Sequence, residues 1–169
     1  MPSPCPECGF DARGLSPADA AVALRTLPGR FRALTEPASD DPDSSSGSSS
    51  GSSEADAAVR RGGALAAAGQ AAEAIAELGE DLRLVLIEDN PGLKTVGTEA
   101  TATRHGGDPA TALERLTAAT TGLAALVTAQ PSEAWVRTGT RATGPVSAAD
   151  LLREAVHAGV HRLRGAERA

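Results

Sequence analysis

The chain has no tyrosine, one tryptophan and two phenylalanines, so its core cannot rest on stacked rings. The burial that aromatics would supply has to come from leucine, valine and alanine, which remove less area from water per residue. Lysine is nearly absent too: Lys94 stands alone among 16 basic residues, and the others are arginine. The net charge is −6, and no basic stripe alternates with aromatics, which excludes the electrostatic footprint of a nucleic-acid binder. No apolar run approaches the roughly 20 residues of a membrane helix. The opening MPSPCPECGF lacks the cationic and apolar regions of a secretory signal. These absences predict an acidic cytoplasmic protein with neither membrane nor nucleic-acid partners. In that compartment Cys5 and Cys8 are expected as thiols or metal ligands rather than a disulfide.

What is abundant is alanine, the best helix former, set in segments with clear start and stop signals. Residues 1–15 form a polar, Pro- and Gly-rich lead. Ser16-Pro17 opens a helix, with Ser as cap and Pro in the first turn, where its missing N–H costs nothing. Val22, Leu24, Leu27, Phe31 and Leu34 give that helix its apolar spacing, and Pro28-Gly29 is expected to break or kink it. Residues 37–53 are Ser/Gly-rich and offer nothing worth burying, so they read as a flexible linker within one domain.

A long helix is expected over 55–88, patterned by Ile75, Leu78, Leu82, Val85 and Leu86, weakened at Gly62-Gly63 and Gly69, and stopped by Asn90-Pro91-Gly92. A Thr/Gly-rich loop over 93–107 holds His105. Asp108-Pro109 starts a third helix, lined by Leu113, Leu116, Leu123, Leu126 and Val127 and ended by Gln130-Pro131. Trp135 reads as a plug for one end of the bundle. Arg137, Thr138 and Arg141 lie in a short irregular stretch with room for a small hairpin, where they could line a mouth and bind an anion. Ser147 and Asp150 resemble a capping box for a last helix over 148–165, with Leu152, Val156, Gly159, Val160 and Leu163 as its seam. The sum is an all-α, four-helix bundle over 16–169.

Few residues could do chemistry. The chain has three histidines and two cysteines. It shows no Ser-His-Asp arrangement and no phosphate-cradling glycine loop. His157 and His161 are four apart, so on a helix both imidazoles share one face, about 6 Å apart along the axis. Two ring nitrogens at that spacing can close on one divalent metal, and at least one further ligand must come from elsewhere. Cys5 and Cys8, in CPECG, have the form of one knuckle of a zinc ribbon. The missing second pair leaves open a bare dithiol, a redox site, surface thiols, or half a site completed in a homodimer.

The segments CPECGFD, LSPADAAVALRTLPGRFRALT, LRLVLIEDNP, DPATALERL, WVRTGT and AVHAGVHRLR follow one another in an order that resembles the DinB-like superfamily. The branch is the one related to mycothiol-dependent maleylpyruvate isomerase. The resemblance covers nearly everything outside the Ser/Gly segment. It implies a four-helix bundle with a divalent metal, zinc or nickel, and chemistry assisted by a small thiol such as mycothiol, as a transferase or isomerase. It assigns metal ligation to the last-helix pair His157 and His161 and to one histidine on the second helix.

There the chain departs from the family: the expected Trp, Glu and His fall on Gly62, Ala66 and Gln70. Gln70 is then a weak third ligand, and Glu73, one turn on, a weak carboxylate substitute. The same loss supports the alternative of a non-catalytic bundle that binds or regulates.

Overall fold

The computed structural model describes residues 4–36, 50–94 and 109–169. The expected linker falls mostly at 37–49, outside the described residues, as do His105 and nearly all of its loop. Four helices carry the fold: α1 (Pro17–Thr35), α2 (Ser50–Ile87), α3 (Pro109–Thr128) and α4 (Ala148–Arg168). Between α3 and α4 lie a short 3₁₀ turn (Ser132–Val136) and a hairpin of β1 (Thr138–Arg141) and β2 (Gly144–Ser147), paired antiparallel with Thr138 opposite Ser147.

The caps of α1 and α4 form as the sequence spells them, while Asp108, expected to cap α3, lies outside the described residues. Ser16 Oγ accepts from the Asp19 N–H at 3.1 Å, and Ser147 Oγ accepts from the Asp150 N–H at 3.1 Å. Ser147 also donates to the Asp150 carboxylate at 2.7 Å, which suits the shorter acid in that box.

Three expectations are corrected. Pro28-Gly29 does not split α1, which is one helix from Pro17 to Thr35. Leu24, Leu27 and Phe31 are fully buried on both sides of Pro28, and that burial outweighs one lost backbone hydrogen bond. Val22 is 58% exposed rather than part of the α1 core face. Finally, α2 starts at Ser50, inside the stretch read as linker, and runs unbroken through Gly62, Gly63 and Gly69 for 38 residues. Once a helix is long, each added residue gains a hydrogen bond without a new nucleation cost.

α2 packs on α3 and α4, and α1 packs on the same two helices. The helices therefore run α1–α3–α2–α4 around the bundle. The core is mostly aliphatic, with Phe31, Leu24, Ile75, Leu82, Leu116, Leu151, Leu152 and Leu163 fully buried. Alanines at 20, 21, 68, 71, 72, 112, 124 and 155 fill the spaces between them. Small residues let the backbones approach: a Cβ on Gly159 would lie 2.6 Å from Leu27 Cδ1 and 3.2 Å from Ile75 Cδ1.

The hairpin is tied to the end of α2. Leu93 N–H donates to Thr140 O and Thr140 N–H donates to Pro91 O, both at 2.9 Å. Arg137 donates to the Val85 and Glu88 carbonyls at 2.8 Å, which have no partner within α2. Arg141 meets Glu154 at 2.7 Å. The arginines read as a candidate anion mouth are thus engaged in holding the hairpin. Trp135 is buried in the core beside them, as a plug would be. No described helix is long and apolar enough to cross a membrane.

Candidate metal centre

The amphipathic period of α4 sends Leu152, Val156, Val160 and Leu163 into the core and leaves His157 and His161 half-buried at the edge of that seam. Their rings meet edge to face, with centroids 5.6 Å apart. The lead folds back over this edge. Its turn is closed by the Cys5 N–H on Phe10 O at 3.0 Å and by the Gly9 N–H on Cys5 O at 2.7 Å. Gly9 adopts φ +67°, a left-handed conformation that side chains with a Cβ rarely take. The knuckle turn therefore depends on glycine at this position.

Docking of the lead on α4 uses backbone and ring contacts beside the cysteine–histidine cluster. Arg164 donates to the Cys8 carbonyl at 2.6 Å and Arg168 donates to the Glu7 carbonyl at 3.0 Å. Phe10 stacks on His157 with ring centroids 5.8 Å apart and planes 7° from parallel.

The outcome is a four-donor cluster. One ligand atom from each of Cys5, Cys8, His157 and His161 lies within 4.8 Å of the other three. Cys5 Sγ is 3.7 Å from His161 Nδ1. On the other side of that ring, His161 Nε2 lies 3.2 Å from Glu7 Oε2. A carboxylate at the far nitrogen is the usual outer partner of a metal-binding imidazole, because it fixes which nitrogen keeps the proton.

His157 Nε2 is buried and has no hydrogen-bond partner. Buried ring nitrogens are seldom left so, and a metal would satisfy it. The backbone N–H of Cys8, and then the imidazoles of His157 and His161, lower the Cys5 thiol from 9.0 to about 6. Burial pushes the Cys8 thiol the other way. Two sulfurs and two nitrogens in one cluster fit a tetrahedral zinc, with about 2.3 Å to sulfur and 2.0–2.1 Å to nitrogen.

The two α2 candidates, Glu73 and Gln70, are placed as follows. Glu73 is outside the cluster and accepts from Arg115 of α3 at 3.4 Å. Gln70 faces the same side of the molecule as His161, since both line a groove of about 280 Å³ with Gly63, Ala66, Ala67 and Gly165. The four-donor cluster draws no residue from α2. A third ligand was expected from a neighbouring helix, and the cysteine pair was a candidate for sharing between chains. The structure brings the cysteine pair to the histidines from the lead of the same chain. C-x₂-C with H-x₃-H is a Cys₂His₂ spacing, and reading the two halves together would have found the set.

No family model matches the chain, and no curated protein does. Among solved structures, the fold is similar to that of YfiT from Bacillus subtilis, described as "a probable metal-dependent hydrolase with an unusual four-helix bundle topology". The TM-score is 0.65 at 14% identity, over 94% of this chain and 91% of that one.

Proposed function

We propose that this protein is a DinB-like four-helix bundle that holds one divalent metal, zinc, on Cys5, Cys8, His157 and His161. The observation that carries the reading is the convergence of two thiols and two imidazoles, with His157 Nε2 buried and unpartnered among them. The likeness in fold to a protein described as metal-dependent supports it. Soft sulfur with imidazole favours zinc over magnesium, calcium or manganese.

Four protein donors would complete a tetrahedral shell. Catalytic zinc sites keep a position open for water or substrate, whereas structural sites are closed. The metal in this reading therefore fastens the lead to α4, and the protein works as a binding or regulatory module. Thiol-assisted transfer or isomerisation, with a small thiol such as mycothiol, would require one of these donors to leave the metal first. The groove beside His161 and Gln70 is where such a thiol would enter.

The test is metal content of protein purified without a histidine tag. We expect close to one zinc per chain, lost both in Cys5→Ala and in His157→Ala. Retention of zinc in Cys5→Ala with loss in His157→Ala would replace this reading with a metal held between helices alone. Absence of metal in the reduced wild-type protein would end it.

A further inference from the structure

The two sulfurs of the cluster differ in accessibility. Cys5 is half-buried, while Cys8 is 3% exposed. Both sit on one short turn that the Cys5–Phe10 and Gly9–Cys5 backbone hydrogen bonds hold closed, with the sulfurs within 4.8 Å of each other. A disulfide needs them at about 2.05 Å, a distance that side-chain rotation within one turn can close. The carbonyls of Glu7 and Cys8 are gripped by Arg168 and Arg164 independently of either sulfur, so the turn has an anchor that does not depend on the thiols.

We infer that Cys5 and Cys8 are a reversible modification site: a hydroperoxide oxidises the pair to a Cys5–Cys8 disulfide, and the four-donor set is lost. The loss of metal rests on the zinc reading above; the thiol chemistry does not. The Cys5 thiolate attacks one peroxide oxygen, and the O–O bond breaks. The departing alkoxide takes a proton from water to become an alcohol, leaving Cys5 as a sulfenic acid. Cys8 then gives up its thiol proton to water as its sulfur attacks the Cys5 sulfur. The S–S bond forms, the S–O bond breaks, and hydroxide leaves and is protonated. The two sulfurs together give up two electrons, and the peroxide accepts both.

A disulfide carries no thiolate, so His157 and His161 are left as the sole donors, and two imidazoles hold zinc weakly. Because Arg164 and Arg168 still hold the turn, reduction restores the set in place.

The experiment treats the zinc-loaded full chain with hydrogen peroxide in the presence of a chromophoric zinc chelator, while free thiols are counted and N-terminal peptides are weighed. The expected result is one zinc released for every two thiols lost, with Cys5 and Cys8 linked within one peptide. Dithiothreitol should restore both thiols and zinc uptake. In Cys8→Ser the sulfenic acid has no resolving partner, and Cys5 should then be labelled by dimedone, unlike in the wild type.

Thiols that survive excess peroxide would overturn the inference, as would oxidation of Cys5 to sulfinic acid without a disulfide, or zinc retained by the disulfide form. Dimedone labelling of Cys8 in Cys5→Ser as readily as of Cys5 in Cys8→Ser would overturn the assigned order of attack. Should the reduced chain take up no zinc at all, the metal reading fails, and the thiol counts and peptide masses alone decide the oxidation chemistry.

Discussion

Glu7 shows how much of the site lies beyond the donors themselves. Its carboxylate sits 3.2 Å from His161 Nε2 while Cys5 Sγ approaches Nδ1 from the other side. Glu7→Gln keeps the size and removes the charge, and it should weaken zinc affinity by about 10–100-fold. Gln70→Ala should leave affinity unchanged; competition titration against a chelator of known strength measures both.

Cys5 also predicts a pH dependence. Its thiol is lowered from 9.0 to about 6 in the fold, so between these values the unfolded chain binds a proton that the folded chain does not. Stability from this group is full above pH 9.0 and is lost as pH falls through about 6. Cys8 is raised instead, so its titration acts above 9.0 and with the opposite sign. The thermal midpoint of metal-free protein should therefore decline from pH 9 toward 6, and decline less in Cys5→Ser.

At the scale of the element, sequence legibility was highest in the helices. Ser16, Ser147 and the stop at Asn90-Pro91 act as read, because caps and breakers are local chemistry. What periodicity could not weigh is packing. Pro28 lies inside α1 because the buried Leu24, Leu27 and Phe31 hold both halves in line, and Val22 faces out although its apolar character placed it with them. Gly159 fits the same account. A methyl there meets Leu27 and Ile75 at 2.6 and 3.2 Å, so Gly159→Ala should destabilise the protein by about 1–3 kcal/mol through overpacking. Gly165→Ala, whose Cβ meets nothing within 4 Å, is the control. Denaturant titration of both variants makes the comparison.

For the molecule as a whole, the core and the candidate metal centre are separable. The buried cluster is supplied overwhelmingly by α1 to α4, while the lead adds Phe10 and Leu15 as partly buried neighbours. Removing zinc should leave the bundle helical by circular dichroism and loosen the lead, which limited proteolysis would detect as cleavage before Ser16. Zinc held at a hundred times its dissociation constant should add about 2.7 kcal/mol to stability. The melting midpoint should then fall on adding a chelator in the wild type and stay put in Cys8→Ala.

The number of main helices, the Ser16 and Ser147 caps of α1 and α4, and the shared face of His157 and His161 were settled by sequence alone, because each depends on residues within a few turns of one another. The meeting of Cys5 with His161 spans 156 residues, and no local rule reaches that far. It comes from the tertiary structure, where Arg164 and Arg168 take the backbone carbonyls of the lead and Phe10 settles on His157. A periodic pattern tells a helix which face to bury or to arm with donors, but the partner on that face is chosen by whatever the fold brings against it.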